Sequence, residues 1–443
     1  MSRPTFSNKL GFVLSAAGSA VGLGNIWRFP FLAAEYGGGI FLLIYIIVTL
    51  LFGFPIMSLE IAIGRKTSAA SVISYGELDR RGSFIGWLTA VVTLITLPYY
   101  CVIGGWVLKY AVLFCTGEGS LSAQRDYFTQ YTAQTAEPII YQLLFVMMSA
   151  AILLLGVRSG IEKANRFLMP ALIILAVTVA AYTLSLDGAW EGVKYYLTPD
   201  ISKFSFRTVL AATGQMFYSL SLASGIMVTF GAYLRKNDSI ESSVKQIELF
   251  DLGVAFLSGL IVMSAVFAVS GGESSAVTAG PGLIFETLPE VFAALPFGDV
   301  IGAVFFILVF FAALSSAISM MEVNVANLIQ CFGFKRRNAV FTMAAVLFLL
   351  GLPSALGYSV WTSFRPFGMA ILDFMDYIGN SIITPLVALI SCVFIGWIVG
   401  PRVLSEEIEQ RGEFKRRRSF EFIIKWIAPV FITAVFIGSF LGI

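Results

Sequence analysis

Ala17-Gly18-Ser19-Ala20-Val21-Gly22-Leu23-Gly24-Asn25-Ile26-Trp27-Arg28-Phe29-Pro30 lies inside the first long apolar stretch of the chain. Its three glycines, amide and guanidinium are at odds with a plain membrane-spanning helix. Such a helix satisfies its backbone polar groups internally, so a break at bilayer depth is tolerated only against protein or beside a watery cavity. Gly18, Gly22 and Gly24 each weaken a helix, and unwinding there frees carbonyls for a cation and amides for an anion. That pairing fits salt-coupled binding of a zwitterion. The alternative is a small-residue packing face, since Gly18 and Gly22 form a GxxxG pair. Asn25 and Arg28 favour the first reading, because polar groups inside membrane segments are costly and mark function.

Around this stretch, 58% of the 443 residues are hydrophobic and 13% are charged. With a mean hydropathy of +0.85, the chain is too apolar for a soluble globule. Its apolar blocks run to about twenty residues, the length of a spanning helix, rather than the short alternating segments of a membrane barrel. The predicted fold class is therefore an all-α integral membrane protein. A net charge of +2 implies no nucleic-acid partner. The absence of histidine removes imidazole proton relays, histidine-ligated metals and any His-based triad. Cys101, Cys115, Cys331 and Cys392 show no metal spacing and read as packing residues. No small-residue cleavage site follows Lys9, so no cleavable leader is expected.

Eleven apolar segments are predicted, at 9–34, 39–66, 84–116, 139–157, 164–186, 207–233, 242–270, 298–331, 338–356, 367–399 and 419–442. Arg3, Lys9, Arg65, Lys66, Arg80, Arg81, Arg158, Lys163, Arg166, Arg235, Lys236, Lys245, Lys335, Arg336, Arg337 and the run from Lys415 to Arg418 all fall on one side, which the positive-inside rule makes cytoplasmic. The opposite connection from Gly271 to Asp299 carries Glu273, Glu286, Glu290 and Asp299 without a basic residue. Its Pro281-Gly282 turn points to a helical hairpin over the extracellular face. With the N-terminus on the cytoplasmic side, an odd number of segments puts Ile443 outside.

Segments 1–5 (9–186) and 6–10 (207–399) compare as two repeats, with segment 11 (419–442) added. Segment 6 again puts small and hydroxyl residues at mid-membrane, from Thr213 to Gly225. Interrupted helices at matching positions of two inverted halves point to a transporter with its site at the repeat interface.

The runs AGSAVGLGNIWRFPF (17–31), EYGGGIF (35–41), FPIMSLEIAIGR (54–65), GQMFYSLSLASG (214–225) and AALSSAISMMEV (312–323) resemble signatures of the neurotransmitter:sodium symporters, the family of the bacterial leucine transporter. The likeness runs the length of the chain in order. Its eleven segments match the bacterial branch, whereas most animal members have twelve. The resemblance implies a 5+5 inverted repeat and a single transporter domain in the plasma membrane.

It also implies two sodium ions as the only cofactors. The first would be held by the Ala20 carbonyl, Asn25, Ser219, Asp251 and the substrate carboxylate. The second would take the carbonyls of Gly18, Val21 and Ala312 and the hydroxyls of Ser315 and Ser316. From the residues alone, Ser315 and Ser316 could equally bond back to their own helix. The substrate carboxylate would lie against the amides around Leu23 and Gly24 and the hydroxyl of Tyr100. Its side chain would meet Ser19, Thr96, Tyr100, Tyr218, Ser221, Ser224 and Met320. Glu60 resembles the family glutamate that accepts amides of the unwound part of segment 6. Arg28 with Asp376, on one helix face with Asp373, would close an outer gate, with Tyr218 as lid and Gln215 nearby. Arg3 and Tyr233 match inner-gate residues, and the expected acidic partner is Gln330 here.

The resulting expectation is a sodium-coupled amino-acid symporter working by alternating access. Its rivals are a transporter of an amine or osmolyte, a non-concentrating sensor or channel, and a membrane enzyme. The enzyme lacks any evident nucleophile with a base. Monoamine carriers of the family have an acidic residue where this chain has Gly22, so a free α-carboxylate is expected in the substrate. Ser224 replaces the bulky aromatic of pockets for small aliphatic substrates. Space and hydroxyls remain, which favours larger apolar or aromatic amino acids, while Met320 adds an adaptable wall. Asp251 stands where chloride-dependent relatives have asparagine, and Ala255 where they have a serine, so no chloride requirement is expected.

Overall fold

The computed structural model describes residues 4–124, 126–271, 277 and 281–441. Arg3, Glu273 and Ile443 lie outside these residues. The described chain is almost entirely helical, with an isolated bridge between Gly38 and Pro199. Among the described residues, nine helices are long and apolar enough to cross a membrane, or ten if the bent pair of segment 1 counts as one. The nine match segments 2 to 5 and 7 to 11 and run Gly39–Thr67, Arg80–Cys115, Ala136–Leu154, Val157–Leu184, Ile240–Ser270, Gly298–Phe332, Arg336–Leu356, Ile371–Val399 and Arg417–Gly438. Segment 6 divides into Phe206–Ser219 and Ile226–Tyr233, each too short to cross alone.

Segments 3 and 8 pack against each other at the centre, where their most apolar windows are 78% and 72% buried. That of segment 11 is only 28% buried and forms part of the rim. Cys101 and Cys392 are buried as packing residues should be, but Cys115 is exposed and Cys331 half-buried at helix ends.

The breaks follow from local chemistry. Segment 1 starts at Asn8, whose side chain accepts from the Gly11 amide at 2.8 Å. Its first piece, Lys9–Ala20, ends where Val21 turns extended (φ −76°, ψ 105°). The Asn25 side chain then accepts from the Gly22 amide at 3.0 Å, and the second piece, Gly24–Glu35, leaves at 54° to the first. In segment 6, Ser221 (φ 53°), Ala223 (φ 60°) and Gly225 (φ 76°) adopt left-handed backbone. Glycine does this freely, whereas serine and alanine are strained by it and need external support. Glu60 gives that support, accepting from the Ala223 amide at 2.6 Å. Glycines bring segment 2 close enough, since a Cβ on Gly64 would stand 1.8 Å from the Val228 carbonyl oxygen.

Most of the first arm of the expected hairpin over 271–299 lies outside the described residues. Its second arm is helical over Leu283–Thr287 and Leu288–Ala293.

Candidate functional site

The two breaks face each other across a cavity lined by residues of both. All the substrate-contact residues expected from the sequence line it: Ser19, Ala20, Leu23 and Gly24 from segment 1, Thr96 and Tyr100 from segment 3, Tyr218, Ser219, Ser221 and Ser224 from segment 6, and Met320 from segment 8. Asn380 and Thr384 of segment 10 complete the wall and were not foreseen. The Ser221 hydroxyl donates to the Ser19 carbonyl at 2.9 Å, and that of Ser224 to the Ser221 carbonyl at 2.6 Å. In contrast, the side-chain hydroxyls of Ser19, Thr96 and Tyr100 are buried without a hydrogen-bond partner. Buried polar atoms are normally satisfied, so three orphans around one cavity mark the place of a polar ligand.

Beside the cavity, Asp251 is fully buried. Its Oδ1 accepts from Ser219 Oγ at 2.6 Å and Asn25 Nδ2 at 2.8 Å, and its Oδ2 accepts from the Tyr45 hydroxyl at 3.1 Å. Asn25, Ser219 and Asp251 are thus brought together as expected. Tyr45 was missed, because a tyrosine in the apolar run from Ile40 to Leu51 carries no signal of its own. All three partners of the carboxylate are neutral, and an isolated buried charge is expensive. The oxygen-rich surroundings fit a hard cation.

A second group of oxygens gathers under the break. Ser316 Oγ lies 3.3, 3.2 and 3.2 Å from the carbonyl oxygens of Gly18, Ser19 and Val21. Ser315 Oγ donates back to the Ala312 carbonyl at 3.1 Å. Of the two serines, Ser315 therefore back-bonds within its helix, while Ser316 reaches across to segment 1.

Towards the side opposite the basic loops, the cavity gives way to a vestibule lined by Trp27, Arg28, Tyr99, Tyr218, Asp373 and Asp376. The Arg28 guanidinium lies over the Tyr218 ring, 5.2 Å from its centroid. Gln215 donates to the Gly24 carbonyl at 2.9 Å. Asp376 accepts from the Tyr99 hydroxyl at 2.7 Å and from Asn380 at 2.8 Å. No ion pair joins Arg28 to Asp376 among the described residues.

On the basic side, Gln330 accepts from the Ala70 amide at 2.7 Å and takes no part in an ionic gate. An acidic group is supplied instead by Glu322, eight residues earlier on segment 8. It accepts from the Tyr233 hydroxyl at 2.9 Å and pairs with Arg336 at 2.7 Å. The Phe6 amide donates to the Tyr233 carbonyl at 3.1 Å, so the N-terminal stretch lies across this cluster. In the sequence, Arg336 counts only among the basic residues of the cytoplasmic side and Glu322 has no gate role, since nothing there marks partners on different helices.

Discontinuous helices that expose backbone carbonyls and amides to a midplane cavity define a multi-pass membrane transporter. The chain belongs to the sodium:neurotransmitter symporter family, whose model matches residues 3–135 and 128–443. It is 34% identical over 440 residues to an uncharacterized sodium-dependent transporter of Bacillus subtilis, covering 98% of this chain and 97% of that one. It is 27% identical to the sodium- and chloride-dependent taurine transporter of Homo sapiens, covering 99% of this chain and 78% of that one. Among solved structures, the crystal structure of MhsT in complex with L-phenylalanine matches with a TM-score of 0.90 at 35% identity, covering 99% of this chain and 100% of that one. The expected family and fold class are both borne out.

Proposed function

We propose that the protein is a sodium-coupled symporter importing an amino acid, of larger apolar or aromatic side chain, by alternating access and without chloride. The buried Asp251 carboxylate, which has only neutral partners, carries the reading. A sodium ion beside it, held with the Ala20 carbonyl, Asn25, Ser219 and the substrate carboxylate, would supply the missing positive charge. A second sodium would sit among the oxygens of Gly18, Val21, Ala312, Ser315 and Ser316. The amides near Leu23 and Gly24 would receive the substrate carboxylate, with the Tyr100 hydroxyl as a further donor. The phenylalanine bound by MhsT supports an amino-acid substrate, and Ser224 at the cavity wall supports a large one.

With the two pieces of segment 6 taken as one further span, the chain would have eleven, arranged as repeats over 9–186 and 207–399. The basic loops would face the cytoplasm, with the C-terminus outside a plasma membrane. Sodium would favour the form open to the outside, and substrate would close it. Each can shift that equilibrium only by its differential affinity for the two states.

The test is uptake of each of the twenty amino acids into proteoliposomes, with sodium or choline outside. Concentrative, sodium-dependent uptake of aromatic or large aliphatic amino acids is expected. Equal uptake in choline, or binding without accumulation, would overturn the symporter reading. Displacement of the bound amino acid by tryptamine would overturn the requirement for a carboxylate.

A further inference from the structure

Asn165 projects from segment 5 into the centre of the bundle and is fully buried. Its Nδ2 donates to the Ile161 carbonyl at 3.0 Å, which fixes the orientation of the amide. A flipped amide would set two acceptor oxygens against each other. The remaining oxygen, Oδ1, has no hydrogen-bond partner. It lies 2.3 Å from the point where a Cβ on Gly18 would stand, and the Ser315 Cβ is 3.3 Å from that same point. An orphan acceptor therefore borders two of the residues assigned above to the second sodium. Gly18, read from the sequence as either a break or a packing face, is a packing residue here: it lies within the helix Lys9–Ala20, and its bare Cα leaves room for the amide.

We infer that Asn165 Oδ1 is a further oxygen ligand of the second sodium, so that this site draws on segments 1, 8 and 5. The inference rests on the sodium-coupled reading. A buried amide oxygen is costly when unsatisfied and is a hard ligand suited to a hard cation. The link reaches further along segment 5. Glu162, one turn before Asn165, accepts from the Ser7 amide at 2.8 Å and pairs with Arg166 at 2.6 Å. Sodium at Asn165 would thus hold the first piece of segment 1 to segment 5 at a second point. Its departure would leave Oδ1 unpaired and loosen that contact.

A different account is that Oδ1 merely receives a weak contact from the Gly18 Cα–H. The two are separated by sodium titration of thermal unfolding in the purified full chain, with potassium at equal ionic strength as the control. A ligand that binds only the folded form raises the unfolding temperature with concentration. Asn165→Ala should raise the sodium concentration for half-maximal stabilisation about tenfold, the scale of losing a supporting group at a metal site. Asn165→Asp, of nearly the same shape, should lower it. Unfolding in potassium reports folding separately, and Asn165→Ser replaces Asn165→Ala if the latter does not fold. An unchanged midpoint in Asn165→Ala, or an equal rise in Asn165→Ala and Asn165→Asp, would overturn the assignment. No sodium response in the unmodified protein would overturn the sodium reading itself, and this ligand with it.

Discussion

Asp251 and Ser224 set what the site demands of its ligands. Each oxygen of Asp251 accepts a hydrogen bond, from Ser219 and Asn25 on one side and Tyr45 on the other, yet among the described residues no basic group bonds to it. On the proposed function, a fixed carboxylate in this place would make a separate anion unnecessary beside the first sodium. Uptake by the unmodified protein should therefore be unchanged when chloride is replaced by gluconate. Asp251→Asn should weaken sodium-coupled uptake, and adding Ala255→Ser should restore part of it in chloride alone. Loss of uptake by the unmodified protein in gluconate would show that Asp251 does not stand in for an anion. Ser224 meets the cavity as a small hydroxyl already turned onto the Ser221 carbonyl at 2.6 Å. Ser224→Phe would fill space that a large substrate needs. Competition binding should show affinity for phenylalanine or tryptophan falling about tenfold more than affinity for alanine, within the range pocket size confers. The reverse order would mean that the pocket lies elsewhere.

At the scale of elements, the two breaks differ in how much of them the sequence shows. Gly18, Gly22 and Gly24 announce the first by composition, and Asn25 both ends it and turns towards Asp251. The second is subtler, since the small and hydroxyl residues of segment 6 spread from Thr213 to Gly225 whereas the helix gives way only from Leu220 to Gly225. Only Gly225 there is an evident breaker, while Ser221 and Ala223 hold left-handed backbone because Glu60 holds the Ala223 amide. Sequence indicated Glu60 through its improbable position deep in segment 2. It could not indicate Tyr45, Asn380 or Glu322, whose roles arise from contacts between helices far apart in the chain. Gln330 shows the same limit, because its place on segment 8 was legible and its partner, the Ala70 amide, was not. Removing the Glu60 acceptor tests the break directly. Glu60→Ala leaves a buried amide unpaired at a strained turn, a cost of about 1–3 kcal/mol. Thermal unfolding in detergent should shift downward accordingly, with substrate binding lost before the fold is. Full binding in Glu60→Ala would show that the break supports itself.

For the whole molecule, the two ends of the bundle are unequal. On the basic side, Glu322 ties segment 6 to segment 9 through Tyr233 and Arg336, while Phe6 and Ser7 fasten the start of segment 1 to Tyr233 and Glu162. On the other side, a vestibule reaches Tyr218 and no ion pair bridges Arg28 and Asp376. A cluster that seals the basic end belongs to one of the two forms that the proposed alternating access requires. The balance between them then rests on the buried Glu322 cluster, and breaking such a pair by removing one partner costs about 3–5 kcal/mol. A shift of about 5.5 kcal/mol would carry a two-state equilibrium from 1:99 to 99:1, so one residue could move most of that distance. Glu322→Gln keeps the shape and an acceptor for Tyr233 but leaves the Arg336 charge unpaired. It should populate the form open at the basic end. Amide hydrogen exchange should then quicken about tenfold or more in Lys9–Ala20, for a shift of at least about 1.4 kcal/mol. Phe206–Ser219, packed on segment 2 away from the cluster, should keep its rate, and sodium should partly reverse the change by favouring the sealed form. Unaltered exchange in Lys9–Ala20 would mean that the cluster is structural and that the seal lies in the N-terminal contacts of Phe6 and Ser7.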